Sequence, residues 1–442
     1  MARRGVVARW TSDIRAMRAD ALELFLRPVR EGRDIQELQF GPKRILLAVH
    51  PDGVRHVLQE NARNYTKQTP GFDVVRELLG QGLLTSDGEF WLRQRRLVQP
   101  AFHRAHLAAF GPLMVDCAET QVAEWLTDAQ RRASVDVAEG CAKMALRIAS
   151  RALFGIDVAD QADEIGVALA CVLSSGRDRM MRLVRFPLWL PTPAHQRLAQ
   201  AVRSLEQVVT RIVDSRRGQE GTGSDVLSRL LAARDEDGQG MSPKQVRDEI
   251  LTLLLAGHET TANALAWTLG LLSRHPDTRR RLSDEVRAVL GERPATVEDV
   301  PQLEFTRRVL AEALRLFPPA WIFSRAPIAK DTVCGTDVNP GDIIVVSPYV
   351  THRDPRFWED PEGFDPDRFA TPPARFAYFP FGGGPRLCVG QNFAEQELAL
   401  ALVTVVRRAQ LDLLPGARLV PEPAITLRPR GGLRMSVTSV RG

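Results

Sequence analysis

From Ser242 to about Ser273 the chain is written as one long helix. Ser242-Pro243-x-Gln245 is a capping box with proline at the first helical position. At 1.5 Å per residue the helix is roughly 48 Å long, so it must cross the whole molecule. Between Ile250 and Ala256 it is apolar nearly all round, which requires burial. Inside it lies Ala256-Gly257-His258-Glu259-Thr260-Thr261. Gly257 costs about 1 kcal/mol there relative to alanine. Glu259 puts a carboxylate into a buried helix, and Thr260 can bond the carbonyl one turn back and distort it. Two readings fit: a kinked core helix with an exposed Glu, or a local opening that holds water and relays protons. His258 gets no role, because a lone helical histidine more often packs.

A second stretch, Phe379 to Asn392, reads F-P-F-G-G-G-P-R-L-C-V-G-Q-N. Three glycines followed by Pro385 exclude ordinary helix or strand. Such a run brings backbone close to something flat, or turns N–H groups toward a negative atom. Cys388 follows in the same loop. After Gly390 an apolar-periodic helix begins, so Cys388 sits just before a helix N-terminus, where a thiolate is favoured. A thiolate is a soft metal ligand. A reactive or structural cysteine is the alternative on these residues alone.

This segment resembles the heme-ligand loop of the cytochrome P450 family, F-x-x-G-x-R-x-C-x-G. Phe381, Gly384, Arg386, Cys388 and Gly390 match every defined position. The resemblance implies heme b (iron protoporphyrin IX), with Cys388 as axial iron ligand, Arg386 beside a propionate, and Phe381, Gly382 and Gly390 lining the cofactor. Ala256 to Thr260 is similar to the family's A/G-G-x-D/E-T motif. That likeness makes Thr260 and Glu259 the catalytic proton donors. Trp91 and Arg95, one helical turn apart, resemble W-x-x-x-R, whose side chains contact a propionate. On the residues alone they are a solvated basic helix face. Glu312 and Arg315 stand at i, i+3; exposed, such a pair contributes ~0.3–0.5 kcal/mol. They resemble E-x-x-R, which is buried and joined by the arginine of P-x-R-F, here Arg368. The three are implied to be structural. Arg325 is implied to meet a propionate, and Ala256, Ala320, Trp321, Ile322, Phe323 and Ile425 to line the substrate pocket. Core packing is the alternative for each of the residues from 320 to 323.

The resemblance spans nearly the whole chain, with its fixed motifs from Trp91 onward. It implies one mainly helical domain over 1–442 with small β-sheets. The β-rich lobe would hold roughly 30–70, 320–350 and the C-terminal strands, and the helical lobe the remainder. The 442 residues, 44% hydrophobic, suffice for such a core. Net charge is +5 over 59 basic residues, a small excess that does not call for nucleic acid. The five cysteines form no disulfide framework, which fits a reducing cytoplasm. Met1 to Trp10 is basic without a signal-peptide core, and no stretch approaches ~20 uncharged apolar residues, so no membrane span is expected.

In chain order, Ser12 to about Arg30 reads as an amphipathic helix. Ile35 to His50 reads as a hairpin turning at Gly41-Pro42, and Pro51 to Gln59 as a short helix. Lys67 to Gly88 reads as loop. Leu113 to Phe154 reads as two helices broken near Ser134-Val135-Asp136, and Asp163 to Leu183 as another. Arg185 to Pro193 is apolar, proline-punctuated and non-helical, similar to the family's access lid. Helix resumes from Ala194 to Arg216, and Gly218 to Asp225 is a flexible loop. Asp277 to Leu290 and Glu304 to Leu316 read as helices, and Val333 to Val346 and the segment after Leu411 as short strands.

Together these features imply an oxygen-dependent monooxygenase acting on a small lipophilic substrate (terpenoid, carotenoid, fatty acid or steroid-like). No flavin or iron–sulfur domain fits after Cys388. Electrons would come from a ferredoxin and its reductase, steered by Arg93, Arg96, Arg104 and Arg407. A heme-binding sensor or carrier, or a peroxide-driven relative, is the alternative; the intact acid–alcohol pair argues against both.

Overall fold

The computed structural model describes residues 2–40, 43–155, 159–181, 187–216, 223 and 225–440. The Gly41-Pro42 turn, the end of the 163–183 helix, Arg185 and Phe186 of the apolar loop, and most of the 218–225 loop lie outside the described residues. The chain falls into two compact units. One comprises Met1–Asp73 with Ala311–Cys388, the other Val74–Leu310 with Val389–Gly442.

The first unit is built on a five-stranded sheet. Ile35–Phe40 pairs antiparallel with Lys43–Ala48, Ile35 facing Ala48. Lys43–Ala48 runs parallel to Ile343–Val346, which pairs antiparallel with Phe323–Pro327; Tyr65–Thr66 closes the far edge. Ile343–Val346 is four buried residues in a row, as expected of a central strand covered on both faces. Its core joins Leu46, Val57, Tyr65, Ile344, Phe376 and Phe379. The stretch read as one helix from Ser12 is two, Ala2–Ala19 and Ala21–Arg30. Asp20 separates them, its carboxylate accepting the Glu23 N–H at 3.0 Å as the cap of the second.

The second unit is organised on the helix Pro243–Arg274, whose Ser242–Gln245 capping box is formed. It packs on the helix Val137–Phe154 and on the helix Gln391–Arg408. The backbone is helical throughout 256–261, so no break accompanies Thr260, whose hydroxyl donates to the Ala256 carbonyl at 2.6 Å. The C-terminal strands belong to this unit and not with the β-rich one. Arg434–Ser439 pairs with Ala409–Leu413 and with Val135–Asp136, the break between two helices. The 67–88 stretch is also not all loop: Pro70–Leu79 is helical. Proline lacks the donor that a first helical position cannot use, and Val74, Val75, Leu78 and Leu79 are buried along one side.

Beyond that helix, Gly80 to Ser86 is pinned to the central helix by two neighbouring carboxylates. Asp248 accepts the Gln81 N–H at 3.0 Å and Glu249 the Leu83 N–H at 2.9 Å. Glu249 is fully buried and its second oxygen has no partner. Burial pushes its carboxyl up to about 7; Asp248 adds to this and the Leu83 N–H opposes it. A carboxyl raised in the fold favours the folded state below its unfolded value and loses that contribution as pH rises through about 7. Glu249→Gln is therefore expected to melt above wild type at pH 8, with the gain vanishing near pH 4. Differential scanning calorimetry across that range checks it.

Candidate functional site

In the first unit the cysteine loop is shaped by its glycines. Gly382 and Gly384 have φ of +76° and +65°, the left-handed region. A Cβ on Gly384 would stand 1.9 Å from the Leu58 carbonyl oxygen. Gly384→Ala is thus expected to displace the loop and lower cofactor content well below half, read from the Soret-to-protein absorbance ratio. The Cys388 N–H donates to the Phe381 carbonyl at 3.1 Å, and the cysteine itself is exposed. Phe323 reaches toward Gly382, its Cζ 3.9 Å from where a Cβ would be. Arg386 is half-buried; Arg325 is buried and donates to the Ser324 carbonyl at 2.9 Å.

Behind the loop, Glu312 and Arg315 are both fully inaccessible, joined at 2.7 Å and 2.8 Å. Arg368 reaches Glu312 at 3.0 Å. Arg315 also donates to the carbonyls of His352, Pro361 and Gly363. The sequence reading missed His352. Its Nε2 accepts the Phe379 N–H at 2.9 Å, so the proton is on Nδ1, which donates to the Arg315 carbonyl at 3.2 Å. One neutral imidazole thus ties Arg315 to the start of the cysteine loop. Burial, then the Arg315 charge, hold its pKa well below the ordinary histidine value.

Trp321 is buried, its ring 5.9 Å from that of Phe25. Ala320 and Ile322 are half-buried.

In the second unit the central helix is buried along most of its length, but Ala256 is exposed and Gly257, Glu259 and Thr260 are half-buried. Burial raises the Glu259 carboxyl, opposed by a hydrogen bond from Thr426 and the charge of Arg428. Ile425 stands against Gly176, its Cδ1 2.8 Å from where a Cβ would be. Thr261 bonds Glu397, a fully buried acid whose pKa burial raises well above the ordinary value. Thr426 was read from sequence only as reaching the pocket beside Ile425, and Glu397 was given no role; an acid inside the apolar 393–405 run was the available signal for the latter. His258 is buried, and burial pulls its pKa down to about 4. Trp91 and Arg95 are half-buried on the helix Gly88–Val98, with Arg95 donating to Gln99 at 3.3 Å.

The expected basic patch is largely compensated. Arg93 pairs with Asp235 at 2.7 Å, Arg96 with Glu236 at 2.9 Å, and Arg407 with Glu119. Arg104 bonds neutral Asn392 and keeps its net charge. Paired charges contribute little to a long-range field, so these four residues make a weaker basic patch than their sequence positions suggest.

A family model described as Cytochrome P450 matches residues 22–433. The chain is 39% identical over 418 residues to cyclooctatin synthase of Streptomyces melanosporofaciens, covering 93% of this chain and 90% of the relative. It is 37% identical over 402 residues to cyclooctat-9-en-7-ol 5-monooxygenase of the same organism, covering 89% and 86%. The crystal structure of the cytochrome P450DA heme domain matches with a TM-score of 0.86 and 27% identity, covering 95% of this chain and 93% of that one. The chain belongs to the cytochrome P450 family. It is an oxidoreductase of the monooxygenase type, and its cofactor is heme b. Among the described residues no helix is long and apolar enough to cross a membrane.

The residues fit that cofactor. An exposed cysteine ends a loop whose Gly383 and Gly384 lie close against Phe376 and the Leu58 carbonyl, which fixes the loop's path. A buried apolar helix carries one accessible stretch at Ala256 to Thr260. The cationic side chains Arg325 and Arg386 in one unit and Arg95 in the other suit carboxylates.

Proposed function

We propose that this chain hydroxylates a terpenoid; Cys388 would hold the heme iron, and Thr260 and Glu259 would be the proton-delivering pair. The observation that carries it is the cysteine loop: an exposed sulfur three residues before the helix Gln391–Arg408, held from behind by a buried Glu312–Arg315–His352 chain. Heme, when bound, supplies the dioxygen-activating chemistry. The chain's own work is to hold the thiolate at a helix N-terminus, where backbone N–H groups favour the anion. Trp91, Arg95, Arg325 and Arg386 would take the propionates, and Phe381, Gly382 and Gly390 the porphyrin edge.

Burial raises the Glu259 carboxyl above the ordinary carboxylate range, which lets it keep a proton to donate to a neighbouring group at higher pH than an exposed glutamate. Thr260 keeps its hydroxyl on the Ala256 carbonyl and can switch it to a water in the same place. Ala256, Ala320, Ile322, Phe323 and Ile425 would give an apolar surface to the substrate. The terpenoid class rests on the named reaction of the 5-monooxygenase relative. A ferredoxin with its reductase remains the electron donor of choice, and the cytoplasm the compartment. Both units are read as lobes of one domain, because the family match runs through both.

The test is an optical screen of the purified heme protein. Cyclooctat-9-en-7-ol and other terpenoids should give a low-to-high-spin shift of the Soret band, and reconstituted turnover should give a product heavier by one oxygen. Shifts with fatty acids or steroids but no terpenoid would overturn the substrate class. A bound cofactor that yields no oxygenated product from any ligand would favour a carrier.

A further inference from the structure

We infer that Asn263 and Thr426 form a donor chain of fixed direction that holds one oxygen of Glu259 as an acceptor and leaves the other as the oxygen that carries the proton. The inference rests on the proton-relay reading above and specifies it.

Glu259, Asn263 and Trp267 stand at i, i+4 and i+8, so they share one face of the central helix. At all three turns that face meets the same hairpin, Pro421–Pro423 with Leu427–Pro429. The Trp267 indole N–H donates to the Leu427 carbonyl at 3.0 Å and fixes the strand. The Ala424 N–H donates to the Thr426 carbonyl at 3.0 Å and fixes the turn. Asn263 Nδ2 donates to Thr426 Oγ1 at 3.0 Å, both residues being buried. An amide nitrogen can only donate, and a hydroxyl has one proton. With its oxygen accepting from Asn263, Thr426 directs that proton to Glu259, which it hydrogen-bonds. A proton on the receiving oxygen would have to turn the Thr426 hydroxyl away and lose this bond, so the arrangement favours a bare receiving oxygen and a proton on the other one.

Burial raises the acid, while the Thr426 donor and the Arg428 charge on the same hairpin lower it. The other titratable groups nearby point elsewhere: His258 bonds the Ala142 backbone, and Glu397 bonds Thr261. Thr426 and Asn263 are positioning residues, acting through Glu259.

The experiment follows the carboxylic-acid infrared band of Glu259 against pH in the heme-loaded protein, the band being identified by its loss in Glu259→Gln. Thr426→Val keeps the shape and removes the donor, and should move the titration to higher pH. Thr426→Ser should restore the wild-type midpoint. Asn263→Leu should shift it the same way by less. A Thr426→Val protein with a wild-type Soret spectrum and an unmoved midpoint overturns the inference, as does a Thr426→Ser variant that behaves like the valine. Should the valine variant not fold, the serine and leucine variants decide. Oxygen consumption with cyclooctat-9-en-7-ol as probe separates the two layers. If Glu259→Gln uncouples turnover but the midpoint ignores Thr426, the donor chain fails and the relay stands. If the midpoint follows Thr426 but Glu259→Gln leaves coupling intact, the relay fails and the chain stands.

Discussion

Cys388→Ala is expected to remove the sulfur-ligand signature from the carbon monoxide spectrum of the reduced protein and to take monooxygenase turnover below detection. The fold should survive. The backbone makes a hydrogen bond at this position, Cys388 N–H to the Phe381 carbonyl at 3.1 Å, and alanine keeps it. The cysteine is exposed, so truncation leaves no cavity. Such substitutions usually change stability by less than about 0.5 kcal/mol. The sulfur's contribution lies in its charge and softness, stabilised at the helix start and without substitute in the loop. Carbon monoxide difference spectroscopy beside a thermal melt of the cofactor-free chain separates the effects. A variant that keeps the thiolate spectrum would place the ligand elsewhere.

Arg315→Leu should be the most destabilising single change away from the cofactor. The guanidinium makes two bonds to Glu312 and one each to the carbonyls of His352, Pro361 and Gly363. Leucine would leave a buried carboxylate with Arg368 and the Asp365 N–H on one oxygen and its other oxygen stripped of the guanidinium, at a cost of about 3–5 kcal/mol. Each orphaned carbonyl adds roughly 1–3 kcal/mol. Against a typical total of about 5–15 kcal/mol, little native protein should remain at 37 °C. Arg315→Lys should rescue poorly, because one ammonium cannot span a planar set of five acceptors. Soluble yield, heme content and melting temperature measure this. A melting temperature within a few degrees of wild type would show that the pair contributes no more than an exposed one.

That contrast marks what the sequence could and could not convey. Spacing placed Glu312 and Arg315 on one helix face, and spacing alone allowed a pair of ~0.3–0.5 kcal/mol. Burial gives it weight, and burial comes from 352–363, nearly forty residues away in sequence. The central helix was legible because its cap and apolar run are local signals. The cysteine loop was legible because its glycines are. Trp321 was open to both core packing and a pocket place because an aromatic in a proline-rich run can turn to either side of the chain; its contact with Phe25 comes from a distant segment. The basic patch was overestimated because Asp235, Glu236 and Glu119 lie on separate segments that only the fold brings near. Thr426 and Asn263 are more than 160 residues apart. Ile425-Thr426 was read from sequence as a stretch that reaches the pocket; no periodicity links Thr426 to Asn263.

The imidazole of His352 works only uncharged, with one nitrogen open to the Phe379 N–H. Its folded pKa is depressed, so the unfolded chain takes up this proton first as pH falls below the ordinary histidine range. Mild acid should therefore cut the tether from the rear. The prosthetic group would then be shed because its scaffold lets go.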